Sequence, residues 1–398
     1  MKKKKMNYRK IIMFILLIFT ISIPLIFSFS KIAFNKQKTE DNKKEEINID
    51  NKKPKEMSLS LLMVGDGIVH TTMYENFKDG DSYNFNPIFE DVKDYIKSHD
   101  LAFYNQETAF GGKELGYGGY EHPQGFNSPS EFGDTMLDIG FNLVSLANNH
   151  MLDRGEIGVI NTRKYWKEKE DVIAVGSYDS VEDREKTIIK EKNGIKYALL
   201  AYTTFTNSNS TLLINKPYLL NLYDKQKVAD DIAKLRDKVD ILMVSMHWGN
   251  ENNNLQNSKQ EEIAKYLSSL GVDIVIGHHP HVIQPIEYID NTLVIYSLGN
   301  FISSQLDDNN LTGLMLSLKI TKSLEDSKPN IMISDLLANI VYTHYDGPRN
   351  TTLNRKNHKV IPFNELTIEM LSNYKDRYEN TKKIITSLDK SITVAALE

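Results

Sequence analysis

Five short stretches carry the residue types that hold a divalent metal or move a proton: Gly65-Asp66, Asn105-Gln106-Glu107, Asn148-Asn149-His150, His247-Trp248-Gly249 and Gly277-His278-His279-Pro280-His281. Carboxylate and amide oxygens and imidazole nitrogens, with no sulfur among them, are a donor set for Mn, Fe, Zn or Mg. The chain contains no cysteine, which removes thiolate ligands, disulfides and a lipid-modified cysteine anchor together. His279 and His281, one residue apart, can both turn ring nitrogens toward one cluster from a tight turn; alone they would read equally well as surface-loop histidines. His278, just before them, should point away, and is expected not to ligate. His247 reads as a ligand or as a core histidine at a strand end. Asp66 before a glycine suits a ligand or an ordinary turn. Glu107 could bridge two metals, and Asn149 is an unusual neutral ligand that informs only in company. Asp153-Arg154-Gly155 could simply start a helix, and Trp248 reads as a cleft wall or as core.

These residues need elements that bring them together. Each stretch lies at or just past the end of an apolar run, namely SLSLLMV at 58–64, LAFY at 101–104, FNLVSLA at 141–147, VDILMVSM at 239–246 and VDIVI at 272–276. Runs of this composition read as buried strands. In an α/β sheet the loops leaving the carboxyl ends of strands converge on one crevice. Further strands are expected over 196–202, 293–297, 313–320 and 331–342. Helices are expected over 91–98, 130–139, 157–170, 225–238 and 258–270, with a charged amphipathic helix over 365–388. The alternation predicts a single α/β domain over 58–345 and a C-terminal extension over 346–398.

The N-terminus sets the expected compartment. A basic flank over 1–10 precedes an apolar run of 19 residues, 11–29, close to the ~20 that cross a bilayer as a helix. With lysines before it, the run reads as an uncleaved signal-anchor that leaves the N-terminus cytoplasmic and the main domain extracytoplasmic. Residues 30–57, rich in Lys, Asn, Glu and Asp, read as a flexible tether. Setting aside the six basic residues of the flank, 42 basic and 53 acidic side chains remain, a net charge of −11. A domain of that sign is poorly suited to nucleic acid. An anionic substrate would have to be held locally, as a metal centre could do.

Taken in order, the motifs resemble the calcineurin-like metallophosphoesterase pattern, and within it the poly-γ-glutamate capsule biosynthesis protein CapA family. The matching pieces are Gly65-Asp66, Asn105-Gln106-Glu107, Ala147-Asn148-Asn149-His150 with Asp153 and Gly155, His247-Trp248-Gly249, Gly277-His278-His279-Pro280-His281-Val282 and Ser297-Leu298-Gly299-Asn300-Phe301. The resemblance implies a metallophosphatase-like four-layer α-β-β-α sandwich behind the transmembrane helix. It also implies a dinuclear-type site, or a mononuclear one where the first position is incomplete. Asp66 and His281 would hold one ion and Asn149, His247 and His279 the other, with Glu107 bridging. His150 would act as the proton donor, positioned by Asp153, while Asn105, Trp248 and Asn300 would line the substrate cleft. The phosphoesterase pattern has Asp-x-His first and a bridging Asp; here the first histidine is His70, four residues after Asp66, and the bridge is a Glu. His70 is therefore placed at the cleft, able to complete the first site if its loop bends back. The function implied is capsule-polymer biosynthesis or export at the cell membrane, with capsule polymer synthase or export subunits as partners and an anionic polymer or phosphoester as substrate. The alternatives are a stand-alone secreted metal-dependent phosphoesterase and a non-catalytic polymer-binding subunit.

Overall fold

In the computed structural model, residues 56–120, 122–325 and 328–397 are described. The expected flank, apolar run and nearly all of the tether lie outside them. Among the described residues no helix is long and apolar enough to cross a membrane. The architecture is mixed α/β. One sheet runs, edge to edge, through Lys356–Pro362, Lys328–Asp346, Thr312–Glu325, Met57–Gly67, Leu101–Gln106, Leu143–Ser145 and Ile173–Val175. The last four strands pair in parallel and the first three are antiparallel. A second sheet runs through Ile286–Ile289, Thr292–Ile295, Ile274–His278, Ile241–His247, Ile195–Thr203 and Lys190–Lys192, parallel at its centre and antiparallel at both edges.

The continuous apolar character of the central strands follows from burial on both faces. Ile241, Met243, Ile274, Ile276 and Ile295 share one core with Leu61, Met63, Phe103 and Val144 of the other sheet. Their neighbours Leu242, Val244, Val275 and Val294 face the opposite way, into a second core with Val228, Ile232, Ile263 and Leu267. Those last four belong to helices Lys225–Leu235 and Ser258–Ser269. The second of these opens with a capping box, Asn257 and Gln260 bonding each other's backbone N–H, which satisfies two donors that a helix start leaves orphaned. On the first sheet, Phe132 and Met136 of Glu131–Asp138 and Val159 and Trp166 of Gly155–Lys167 are buried in the shared core.

Several expected boundaries move. The helix expected over 91–98 shortens to Lys93–Lys97 after a 3-10 turn at Asn86–Phe89 that contains Pro87. The C-terminal helix contracts to Tyr374–Ile385, and the start of the expected span is taken by a 3-10 turn at Phe363–Glu365. The two late strands lengthen into one hairpin, Thr312–Glu325 with Lys328–Asp346, since ladder hydrogen bonds continue past the apolar run that announced it. Past 346, in the segment expected as an extension, Lys356–Pro362 and Thr393–Val394 both add strands to the first sheet.

Candidate metal centre

The parallel registers align the functional residues at one end of both sheets. Asp66 pairs with Asn105 on one side and with Asn300 on the other, and His247 pairs with His278. Gly65 is required here by close approach, since a Cβ would lie 1.7 Å from the carbonyl oxygen of Gly299. Asp66 N–H donates to that same carbonyl at 3.0 Å. The Gly65-Asp66 and Leu298-Gly299-Asn300 motifs are thus two halves of one backbone contact.

Two groups of side chains could each hold a metal ion. One is Asp66, Glu107 and His247, the other Glu107, His279 and His281, and all five residues are buried. Glu107 is common to both. The pairing expected from the sequence sets His281 with Asp66 and His279 with His247; His281 Nδ1 does lie 3.3 Å from Asp66 Oδ2, and the two groups above combine the same residues in another way. Asn149 reaches the same place, its Oδ1 lying 2.8 Å from Nε2 of His247. The rings of His247 and His279 are 4.9 Å apart and those of His279 and His281 5.8 Å. His279 and His281 both adopt left-handed backbone, with φ of 96° and 58°.

The donor set fits a divalent cation. Glu107 Oε1, His279 Nδ1 and His281 Nε2 are buried without a hydrogen-bond partner, an arrangement that costs about 1–3 kcal/mol per group unless something meets it. Burial, reinforced by the Asp66 carboxylate, pushes Glu107 well up. Burial also raises Asp66, but hydrogen bonds and charge interactions with His278 and His281 outweigh it and hold Asp66 well below the carboxylate range. Burial and the neighbouring His279 push His247 well down. Burial and His281 bring His279 to about 3. Neutral imidazoles beside crowded carboxylates are what a cation converts from repulsion into coordination.

Residues 60–305 match the family model described as bacterial capsule synthesis protein PGA_cap. The chain belongs to that family. Over 224 residues it is 31% identical to the PGA biosynthesis protein CapA of Bacillus subtilis, covering 52% of this chain and 58% of that one. Over 252 residues it is 29% identical to the capsule biosynthesis protein CapA of Bacillus anthracis, covering 62% and 60%. The matches thus span about three-fifths of the length of these relatives. Among solved structures, the Thermus thermophilus sulfate thiohydrolase SoxB in complex with glycerol aligns with a TM-score of 0.40 at 10% identity, over 81% of this chain and 60% of that one.

In this PGA_cap protein, His150 stands at the edge of the centre, its Nδ1 2.8 Å from Oδ2 of Asp153. Asp153 also accepts from the Phe126 N–H and the Ser208 hydroxyl, each at 2.8 Å. It does not cap the following helix, whose N-cap is Arg154. His150 and Asp153 line a cleft of about 680 Å³ together with Tyr120, His122, Arg154 and Asn207.

Five expectations about the surroundings are corrected. Trp248 is no cleft wall: it is 1% exposed, donates Nε1–H to the Tyr296 carbonyl at 2.9 Å and stacks on that ring in the second core. Asn105 is buried in the centre, donating to Asp66 Oδ1 at 2.8 Å and toward Glu107 Oε2 at 3.4 Å. Asn300, also buried, holds Oδ1 3.0 Å from His281 Nδ1. His278, expected to point away, stacks on Phe103 and brings Nδ1 to 3.4 Å from Asp66 Oδ1. His70 lies in neither ligand group; its ring sits among Tyr120 and Phe126 with Nε2 3.4 Å from the Ser303 hydroxyl. Residues that sequence reasoning missed are Asn148, which donates to the Gln106 carbonyl at 2.7 Å, and Tyr120, Phe126 and Gln305. Asn148 stood in a quoted motif. The other three lie outside the quoted motifs and had no comparable signal.

Proposed function

We propose that this protein works in capsule-polymer synthesis or export, of the poly-γ-glutamate kind, through a divalent-metal centre at Asp66, Glu107, Asn149, His247, His279 and His281. The supporting observation is Glu107 standing in both ligand groups, the arrangement a bridging carboxylate requires. We read the two packed sheets with helices outside as a metallophosphatase-like α-β-β-α sandwich. The anchor at 11–29 would hold it at the cell membrane, single-pass, with the main domain outside, beside synthase or export subunits.

A bound divalent ion supplies Lewis-acid polarisation of a substrate oxygen and a lowered pKa for bound water. The chain's own residues would do the rest. Asn105 orients the carboxylates of Asp66 and Glu107, and Asn300 orients His281. His150, held by Asp153 against the cleft, is placed to carry a proton to or from an atom lying there. That dyad beside an open cleft favours a second reading, hydrolysis of a phosphoester or a polymer bond at the same centre.

The test is complementation. Full-length protein expressed in Bacillus subtilis lacking its own CapA relative should restore surface polymer, and Glu107→Gln should not. Normal expression and membrane recovery without any restored polymer would overturn the proposal.

A further inference from the structure

Arg355 buries a whole guanidinium, 0% exposed, and among the described residues no carboxylate lies within ion-pair distance of it. Burying a charge costs several kcal/mol unless its donors are met. Here the donors are spent on loops. Nη1 donates to the carbonyls of Ser304 at 2.8 Å and Gln305 at 2.9 Å. Nε donates to those of Thr351 at 2.9 Å and Pro348 at 3.2 Å. The Tyr345 ring centroid lies 4.0 Å from Cζ. One side chain therefore ties the 348–351 loop to residues 304–305, just beyond strand Asn300–Ile302.

Gln305 continues the chain of bonds. Its Oε1 accepts from Asn300 Nδ2 at 2.8 Å, and its Nε2 donates to the Tyr120 hydroxyl at 3.1 Å. Asn300 Nδ2 also donates to the Asn310 carbonyl at 2.8 Å. Both partners of that nitrogen are acceptors, so the amide orientation is settled and Oδ1 faces His281 Nδ1. An amide oxygen only accepts. His281 must therefore carry its proton on Nδ1, which Asp66 Oδ2 at 3.3 Å also favours. The lone pair is left on Nε2, 3.8 Å from Glu107 Oε1.

We propose that Arg355 is a positioning residue for the metal centre, acting through Gln305 and Asn300 to hold His281 with its proton on Nδ1 and Nε2 free to ligate. Its consequence for metal rests on the reading of the centre given above; its consequence for the tautomer does not. Arg355 lies beyond residues 60–305, so this support comes from outside the region the family model matches.

Full-length protein labelled with ¹⁵N-histidine reports the tautomer of His281 by NMR without metal, with His281→Gln giving the assignment. Titration with Mn(II) or Zn(II) reports the affinities. Wild type should show one Nδ1–H tautomer. Arg355→Met and Gln305→Leu should each show a mixture and weaken the ion held by Glu107, His279 and His281 by about 10–100-fold. The ion held by Asp66, Glu107 and His247 should change by less than about twofold, and Arg355→Lys should recover part of the loss. If Arg355→Met does not fold, Gln305→Leu, altering a partly exposed side chain, decides the matter. A single Nδ1–H tautomer in the folded variants overturns the proposal, as does an equal fall of both affinities. A wild type that binds no metal but whose tautomer shifts in the variants overturns the metal reading and leaves the positioning role supported.

Discussion

Glu107 places Oε1 3.5 Å from Nε2 of His247, and the same oxygen lies 3.8 Å from Nε2 of His281. One carboxylate oxygen therefore faces both histidine clusters. Glu107→Gln should remove metal from both positions, because an amide is a weaker ligand that carries no charge. His247→Ala should empty one position and His281→Ala the other, each leaving about half the wild-type metal. Metal content per chain after dialysis against Mn or Zn checks this. Equal losses in all three variants would mean a single site.

His150→Ala should leave metal content unchanged and, if the centre turns over, cost about 10²–10⁴-fold in rate. Asp153→Asn should act differently. It replaces an acceptor of three bonds with a group whose amide must face one of those donors, so stability should fall by about 1–3 kcal/mol together with rate. Urea unfolding alongside a phosphodiester assay separates the two variants.

Acid should destabilise the fold through histidines buried away from the metal. Burial, helped by nearby positive groups, lowers His358 and His70 to about 3. Above about pH 6.5 both are neutral folded and unfolded, and contribute nothing to the pH dependence. As pH falls from there toward 3 the unfolded chain binds protons that the native chain refuses, so stability drops by about 1.4 kcal/mol per pH unit per histidine. His358 lies 3.0 Å from the Ser304 hydroxyl. Its replacement by Asn should flatten the slope between pH 6 and 4 by about one histidine's worth. An unchanged slope would show that His358 takes its proton without unfolding.

Deleting residues 1–30 should release the protein from the membrane fraction with its fold intact, because among the described residues the first core strand begins at Met57. Protein that stays membrane-bound after a high-salt wash would count against the proposed anchor.

The sequence made the strands and most donors legible because burial on both faces leaves unbroken apolar runs, and a strand end followed by Asp or His stands out. The roles of Asn105, Asn300 and Trp248 were not legible. Whether a strand-end side chain lines a cleft or packs beneath it depends on what crosses above, and period and composition carry no such information. Trp248 shows this: its neighbour His247 enters the centre, while alternation along the chain sends Trp248 to the far core. The link from Arg355 to His281 was hidden for another reason. It runs through four residues that lie apart in the sequence, and its last two bonds depend on amide orientations that only the full set of partners fixes.

The turn at Gly277 to His281 carries a conflict of interest within the chain. His279 and His281 occupy left-handed backbone that costs a side-chain-bearing residue about 1–2 kcal/mol. Glycine would relieve that cost at either position and would also delete a ligand. The residue best for folding and the residue best for binding therefore differ at two positions of one turn. Any drift toward greater robustness there would come at the expense of the centre, so a thermostabilised variant of this protein should be sought away from this turn.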